Sequence, residues 1–163
     1  MKVIFILTSL LVTNAYASSL DGYWVKYENI VKYGSGELEK SYQVKKLIKF
    51  DQVDNLYTIE VTDISVDGKV LDQFKEVEDD FISPEVGSQI VSECLNIGGV
   101  IKLEPLGGSN IKVCSLKKDG LGFSFAAVPF GQYDFIADLE VESPDGSVVK
   151  HRILQKLIEH GKD

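Results

Sequence analysis

The sequence predicts a mainly β protein in which one curved antiparallel sheet, a barrel or half-barrel, packs on a helix around residues 84–97. Nine segments rich in β-branched and aromatic residues alternate with short turns carrying Gly, Asp, Asn or Pro, a pattern typical of strands and hairpins. Between the fourth and fifth segments the apolar period lengthens from two residues to that of a helix. Nine antiparallel strands are too many for a flat open sheet, so we expect the sheet to curl.

Strand signals recur in order at residues 22–33, 41–50, 56–66, 70–77, 100–104, 111–116, 123–128, 133–141 and from 148 onward. The third segment has the clearest alternation, with Tyr57, Ile59 and Val61 on one face, which indicates one dry and one wet side. The alternation slips at Leu47-Ile48, and this slip predicts a β-bulge.

The residues between the strand segments predict the turns. Asp67-Gly68 predicts a type I′ hairpin, because both central positions of that turn need a positive φ. Gly107-Gly108 lies between two strand segments and therefore indicates a hairpin rather than a phosphate-binding loop. The apolar residues of the last segment also fit a helix face. We expect a strand at its start, while residues 154–163 stay open between strand and helix.

The helix has clear start and stop signals. Ser83 is placed to cap its N-terminus, Pro84 suits its first position, and Glu85 complements the helix dipole. Gly98-Gly99 is expected to end it, after about 13 residues. Its broad apolar face predicts packing against the sheet.

The first residues resemble an export signal. Residues 1–17 combine the positive Lys2, a short apolar run and the small residues Ala15 and Ala17, in the order that signal peptidase requires. The alternative is a buried N-terminal strand. Cleavage after Ala17 would leave one domain, residues 18–163, in the periplasm or outside the cell. No later segment is long and apolar enough to span a membrane.

The charge balance excludes some partners. The chain has 17 basic and 25 acidic side chains, a net charge of −8, and loss of Lys2 with the signal would make it −9. This balance disfavours nucleic acid and anionic membrane surfaces, both of which are negative. It is compatible with a basic protein partner.

Two cysteines, Cys94 and Cys114, lie in the exported part. In an oxidising compartment such a pair usually forms a disulfide, and the alternative is two buried free thiols. On the chain-entropy model, closing this loop would stabilise the fold by about 3 kcal/mol. A catalytic thiol is disfavoured, because neither cysteine is in a Cys-x-x-Cys pair and His151 and His160 are distant in sequence.

Two sets of residues resemble known families. The segment Leu20-x-Gly22-x-Trp24 on the first strand resembles the Gly-x-Trp signature of lipocalins. A second, longer set resembles a group of uncharacterised exported bacterial β-domains, whose curved sheets are similar to the half-barrels of periplasmic lipoprotein carriers. Its members are Cys94-x-x-x-Gly98-Gly99, Leu103-Glu104-Pro105-x-Gly107, Cys114, Val128-Pro129-Phe130-Gly131 and Asp145-Gly146. The resemblance implies a concave sheet, closed by helices, that can hold acyl chains.

The sequence gives little support for a catalytic site or a metal site. Transition-metal sites need clusters of Cys and His, which the sequence lacks. The acidic segments 63–68 and 76–80 do not place ligands at every second position, as calcium loops do. With no catalytic residue, metal or cofactor expected, a hydrolase using a carboxylate pair is only a third alternative.

Aromatic residues are the most suggestive group for binding. We expect Trp24, Tyr27, Phe123 and Phe125 to line a site for an apolar ligand; the alternative is that they fill the core. The sequence thus predicts an exported, non-enzymatic protein that holds an apolar or amphipathic ligand, such as a lipid, between the sheet and the helix. The alternative function is an acidic inhibitor or interaction module that binds a basic protein.

Overall fold

A computed structural model describes residues 21–118, 121–142 and 144–163. The predicted export signal, residues 1–17, lies outside them. The described residues form one helix and nine strands: β1 (Tyr23–Lys32), β2 (Leu38–Asp51), β3 (Leu56–Ser65), β4 (Val70–Glu78), α1 (Pro84–Ser92), β5 (Val100–Leu106), β6 (Ser109–Lys118), β7 (Leu121–Ala126), β8 (Gln132–Glu142) and β9 (Val148–Lys162).

All nine strands belong to one antiparallel sheet, in the order β4-β3-β2-β1-β9-β8-β7-β6-β5. Two meanders, β1 to β4 and β5 to β9, are joined where β1 pairs with β9. The prediction of a mainly β protein with one antiparallel sheet and one helix is confirmed. The sheet stays open, with β4 and β5 as its edges, so the closed barrel of the two predicted shapes does not form.

The predicted bulge is confirmed. Leu47 pairs with Ile59 and Lys49 with Thr58, which leaves Ile48 as an extra residue in β2. The extra residue resets the alternation and explains the slip in the sequence.

Two hairpins differ from each other in turn type. The β3–β4 hairpin forms where Asp67-Gly68 predicted it, but its type was wrong: Gly68 has φ +84° and Asp67 does not have a positive φ. The N–H of Gly68 donates to the carbonyl of Ser65 at 3.0 Å, which makes a three-residue loop ending in a left-handed glycine. The type I′ geometry occurs instead at Gly107 (φ +58°) and Gly108 (φ +83°) between β5 and β6.

Strand β9 shows that the C-terminal segment, which the sequence left open between strand and helix, is a strand. It runs from Val148 to Lys162 and pairs with β1 on one side and β8 on the other. Because both backbone edges of β9 find strand partners, its N–H and C=O groups are paired within the sheet in an extended conformation.

Helix α1 begins as predicted and ends early. The Ser83 hydroxyl accepts a hydrogen bond from the N–H of Val86 at 3.3 Å, and the helix stops after nine residues, with Glu93 as its C-terminal cap. Turns continue from there to Gly98. A Cβ added to Gly87 would lie 2.2 Å from the carbonyl oxygen of Ala126, so the helix backbone rests directly on the end of β7.

The predicted disulfide joins Cys94, just after α1, to Cys114 on β6, with the two Cα atoms 5.5 Å apart. Both cysteines are fully buried and pack with Val91 and Leu116. Gly99 lies against both sulfurs. The bridge therefore fixes the end of the helix region to the sheet.

Strand alternation gives the sheet two faces, and we call the front face the side that carries Val25, Tyr27 and Leu47. On β2 and β3 this face is buried around Leu47, Ile59 and Val61 and is covered by Phe81 and Phe130. The covering rings meet edge to face, with centroids 5.0 Å apart. This end of the front face is therefore filled by the protein's own side chains.

Candidate functional site

Five polar side chains form a hydrogen-bonded row across the front face, one from each of β8, β9, β1, β2 and β3. We call it the amide row; its members in spatial order are Gln132, Gln155, Asn29, Gln43 and Asp63. Nε2 of Gln132 donates to Oε1 of Gln155 at 2.7 Å, and Nε2 of Gln155 donates to Oδ1 of Asn29 at 2.9 Å. Nε2 of Gln155 also lies 3.4 Å from Oε1 of Gln43, whose Nε2 donates to Oδ1 of Asp63 at 3.0 Å. In each of these bonds the donor belongs to the residue that is farther along the row from Asp63.

Strand register explains how distant residues meet in this row. Asn29 is directly opposite Gln155 in the β1–β9 pairing, and their positions continue the front-face alternation of Val25 and Tyr27. All members are half-buried, and within the described residues no buried side-chain nitrogen or oxygen lacks a partner. Because its polar groups bond to one another, the amide row needs no ligand to satisfy them. It can therefore border a site whether or not a ligand is bound.

The row separates the covered core from an open apolar surface on the same face. We call this surface the apolar strip; its members are Leu121, Phe123, Phe135, Leu139, Val141 and Ile153. Phe135 is opposite Gln155 in the β8–β9 pairing, so the strip begins at the row. The Phe123 and Phe135 rings lie 5.0 Å apart, centroid to centroid.

Four large apolar side chains of the strip remain partly exposed to solvent. Leu121, Phe123, Leu139 and Val141 retain 39–46% of their accessible surface. Single exposed apolar residues are common on proteins, but a run of them on one face of adjacent strands marks an interaction surface.

A cleft closes the far end of the strip, where β1, β2 and β9 meet. We call it the distal cleft; it has a volume of about 680 Å³ and is lined by Tyr33, Gly34, Ser35, Glu37, Glu39, Val149 and His151. Leu139 pairs with His151 and Val141 with Val149, so the strip runs into the cleft without a break. Along β9, the four residue steps from Gln155 to His151 span about 13 Å.

Polar groups in the distal cleft are held in place. The Tyr33 hydroxyl donates a hydrogen bond to the Glu39 carboxylate. This bond, with burial, raises the pKa of Tyr33. The Tyr33 ring meets the His151 imidazole edge to face at 5.3 Å. The phenol, carboxylate and imidazole therefore form one ordered group.

Two of the four aromatic residues predicted to bind a ligand are on β1, and they face opposite sides of the sheet. Tyr27 is buried in the core, with its hydroxyl 3.4 Å from the carbonyl oxygen of Gln132. Trp24 is on the back face, where its indole covers Gly161: a Cβ on that glycine would lie 2.7 Å from the ring. Trp24 also borders a second cleft of about 430 Å³, with Leu106, Gly107, Ser109, Ile158, Glu159 and His160.

The other two, Phe123 and Phe125, are both on the front face of β7. Phe123 belongs to the apolar strip, whereas Phe125 pairs with Cys114 beside α1. The structure thus places only Phe123 of the predicted set on this open surface. The space between α1 and the strands beneath it is occupied by the Gly87–Ala126 contact and the disulfide.

The amide row could have been found from the sequence. Asn29 interrupts a front-face series of Val25, Tyr27 and Val31, and Gln155 interrupts Ile153 and Leu157 in the same way. A polar residue at a position where alternation demands an apolar one is a signal for a buried network. The pairing of Asn29 with Gln155, 126 residues apart, however, cannot be predicted from either segment.

One carboxylate pair does form, on β4. Glu76 and Glu78 lie on the same face, and burial, then the neighbouring Glu76, raise the pKa of Glu78. Lys45 binds Glu76 at 3.3 Å. The pair lines neither of the two clefts described above, so it is not placed beside a bound substrate in them.

The described residues hold no group of three or more His, Cys, Asp or Glu side chains that could bind a metal ion. Within the same part of the chain, no helix has the length and apolar character needed to cross a membrane.

No protein-family model matches the chain, and no curated protein matches it either. The resemblance to lipocalins and lipoprotein carriers therefore stays an expectation.

Proposed function

We propose that the chain is an exported, non-enzymatic binding protein that holds an apolar or amphipathic ligand on the front face of its sheet. The observation that carries this proposal is the continuity of the apolar strip with the amide row at one end and the distal cleft at the other. An apolar chain on the strip would cover exposed leucine, valine and phenylalanine surface, and each CH2 group removed from water contributes about 0.8 kcal/mol.

The site lies beside helix α1 rather than beneath it. Gly87 of α1 touches the backbone of β7. This contact leaves no space for a ligand between the helix and the sheet, so the helix borders the strip from one side. Phe123 is the residue of the predicted binding set that contacts the ligand in this arrangement, with Phe135 as its neighbour.

Polar chemistry at both ends of the strip supports an amphipathic ligand over a purely apolar one. The amide row offers carboxamide donors and acceptors, and the distal cleft offers a phenol, an imidazole and two carboxylates. Pockets that combine an apolar wall with a few convergent polar groups are typical ligand sites.

The test is binding of an environment-sensitive dye that carries an alkyl chain, measured by fluorescence titration. Replacing Leu121 and Leu139 by Glu puts two charges on the strip and is expected to weaken binding at least about tenfold. Val53, which is almost fully exposed in the β2–β3 turn, provides the control Val53→Glu. A wild-type protein that does not bind, or a double variant that binds as well as wild type, would overturn the proposal.

A second candidate function, an acidic module that binds a basic protein, is favoured by the β4 edge. This edge strand is free on one side and exposes Val70, Leu71, Phe74 and Val77 at 43–63%. The other edge, β5, contains Pro105, which cannot donate to an added strand. A basic extended segment could pair with β4, and its binding should weaken sharply as salt rises, unlike binding of an alkyl chain.

A further inference from the structure

The distal cleft has a one-sided charge. Glu37 and Glu39 contribute carboxylates to its lining, and neither a lysine nor an arginine is among the lining residues. Glu39 is also the acceptor of the Tyr33 hydroxyl, so its charge is held at a fixed place beside the ring.

Nearby cations on β9 face away from the cleft. His151 and Val149 are on the front face, and the alternation of the strand puts Lys150 and Arg152 on the back. There each has its own partner: Arg152 forms a two-bond contact with Asp138 at 2.7 and 3.0 Å, and Lys150 lies 3.2 Å from Glu140. They are not placed to neutralise the cleft.

The amide row is equally poor in positive charge. Its only ionisable member is Asp63, an acid. The nearest front-face cation on β2 is Lys45, and its ammonium is bound to Glu76. A ligand lying along the strip therefore meets the carboxylates of Glu37 and Glu39 at the cleft end. At the other end it meets carboxamides that are linked through Gln43 to Asp63.

From this arrangement, which rests on the function proposed above, we infer that the ligand is a cationic amphiphile: an alkyl amine or alkyl ammonium with its head group in the distal cleft and its chain on the apolar strip. An ammonium beside the Tyr33 ring gains from the ring's negative face and from the two carboxylates. A carboxylate or phosphate head in the same place would be repelled by Glu37 and Glu39 and would find no cation there.

The test compares three surfactants with the same dodecyl chain and different heads: trimethylammonium, maltoside and carboxylate. Each is titrated into the protein below its micelle concentration, with calorimetry as the readout. We expect the ammonium to bind about tenfold more tightly than the maltoside, and the carboxylate to bind more weakly than both.

Two variants separate a local effect from the attraction of the whole acidic protein. Glu37→Gln with Glu39→Gln should abolish the preference for ammonium over maltoside. Glu140→Gln with Glu142→Gln removes the same charge from β8, outside the cleft, and should keep the preference.

The outcomes distinguish this inference from the function on which it rests. Equal binding of all three heads, or tightest binding of the carboxylate, overturns the cationic ligand while the binding function stands. A preference that survives in the Glu37/Glu39 variant assigns it to overall charge and also overturns the inference. If none of the surfactants binds, the proposed function fails with it.

Discussion

Nε2 of Gln155 donates to Oδ1 of Asn29 at 2.9 Å across the junction between the two meanders. The same carboxamide accepts from Gln132 and lies within reach of Gln43. One side chain thus connects β8, β9, β1 and β2, at the only pairing that joins the N-terminal and C-terminal strands of the described sheet.

Gln155→Leu should therefore destabilise the protein more than its half-buried position suggests. The substitution leaves the amides of Gln132 and Asn29 without their partner, and each unpaired group costs about 1 kcal/mol or more, so we expect a loss of about 2–3 kcal/mol. Urea unfolding followed by circular dichroism measures it. Gln73→Leu, at an exposed position of β4, is the matched control and should change stability by less than about 0.5 kcal/mol. Equal effects of the two variants would show that the row does not stabilise the junction.

Gly161→Ala should displace Trp24. A Cβ at this position would lie 2.7–2.9 Å from three atoms of the indole, and the ring has to move. Trp24 is the only tryptophan, so its fluorescence emission reports the change directly, and we expect a shift to longer wavelength as the ring gains contact with water.

The control for that experiment is another strand glycine. A Cβ on Gly122 would meet its nearest neighbour, the Cβ of Ile136, at 3.6 Å, an ordinary contact. Gly122→Ala should leave the emission spectrum of Trp24 as it is. An unchanged spectrum in Gly161→Ala would contradict the close packing of Trp24 on β9.

Reduction of the Cys94–Cys114 bridge should destabilise the fold by about 3 kcal/mol, the value expected for a closed loop of about this length. Both sulfurs are buried, so the Cys94→Ala, Cys114→Ala variant is a cleaner test than added reductant. Urea midpoints of the two forms give the difference. The loss should appear without any change in dye binding, because the bridge fixes α1 and does not line the apolar strip.

Stability should fall at alkaline pH through Tyr27. Burial raises the pKa of this phenol well above its usual value near 10. Above pH 10 the unfolded chain therefore releases the proton more readily than the folded one, and the free energy of unfolding decreases as pH rises. Tyr27→Phe cannot ionise, so its stability should decline less steeply than that of wild type between pH 9 and about 11. Parallel curves would show that Tyr27 does not contribute to alkaline unfolding.

Local signals in the sequence were enough to predict most of the secondary structure. The cap at Ser83, the bulge at Ile48 and the hairpin at Gly107-Gly108 all formed where short-range chemistry required them. The predicted helix was too long. Its expected last residues form turns instead, and these turns bring Cys94 to β6. The predicted type of the turn at Asp67-Gly68 was wrong, because the hairpin closes with a three-residue loop that ends in Gly68.

The sequence by itself predicted the nine strand segments, the helix after the fourth of them and the acidic charge, and it favoured the disulfide, because each depends on neighbouring residues or on composition. Only the tertiary structure decided that β1 pairs with β9, and that pairing aligns Asn29 with Gln155 and Tyr33 with His151. Aromatic content alone could not separate Phe123 on the open strip from Tyr27 in the core. Which face of a strand is covered depends on segments far away in the chain, here Phe81 and Phe130, and no local pattern encodes that choice.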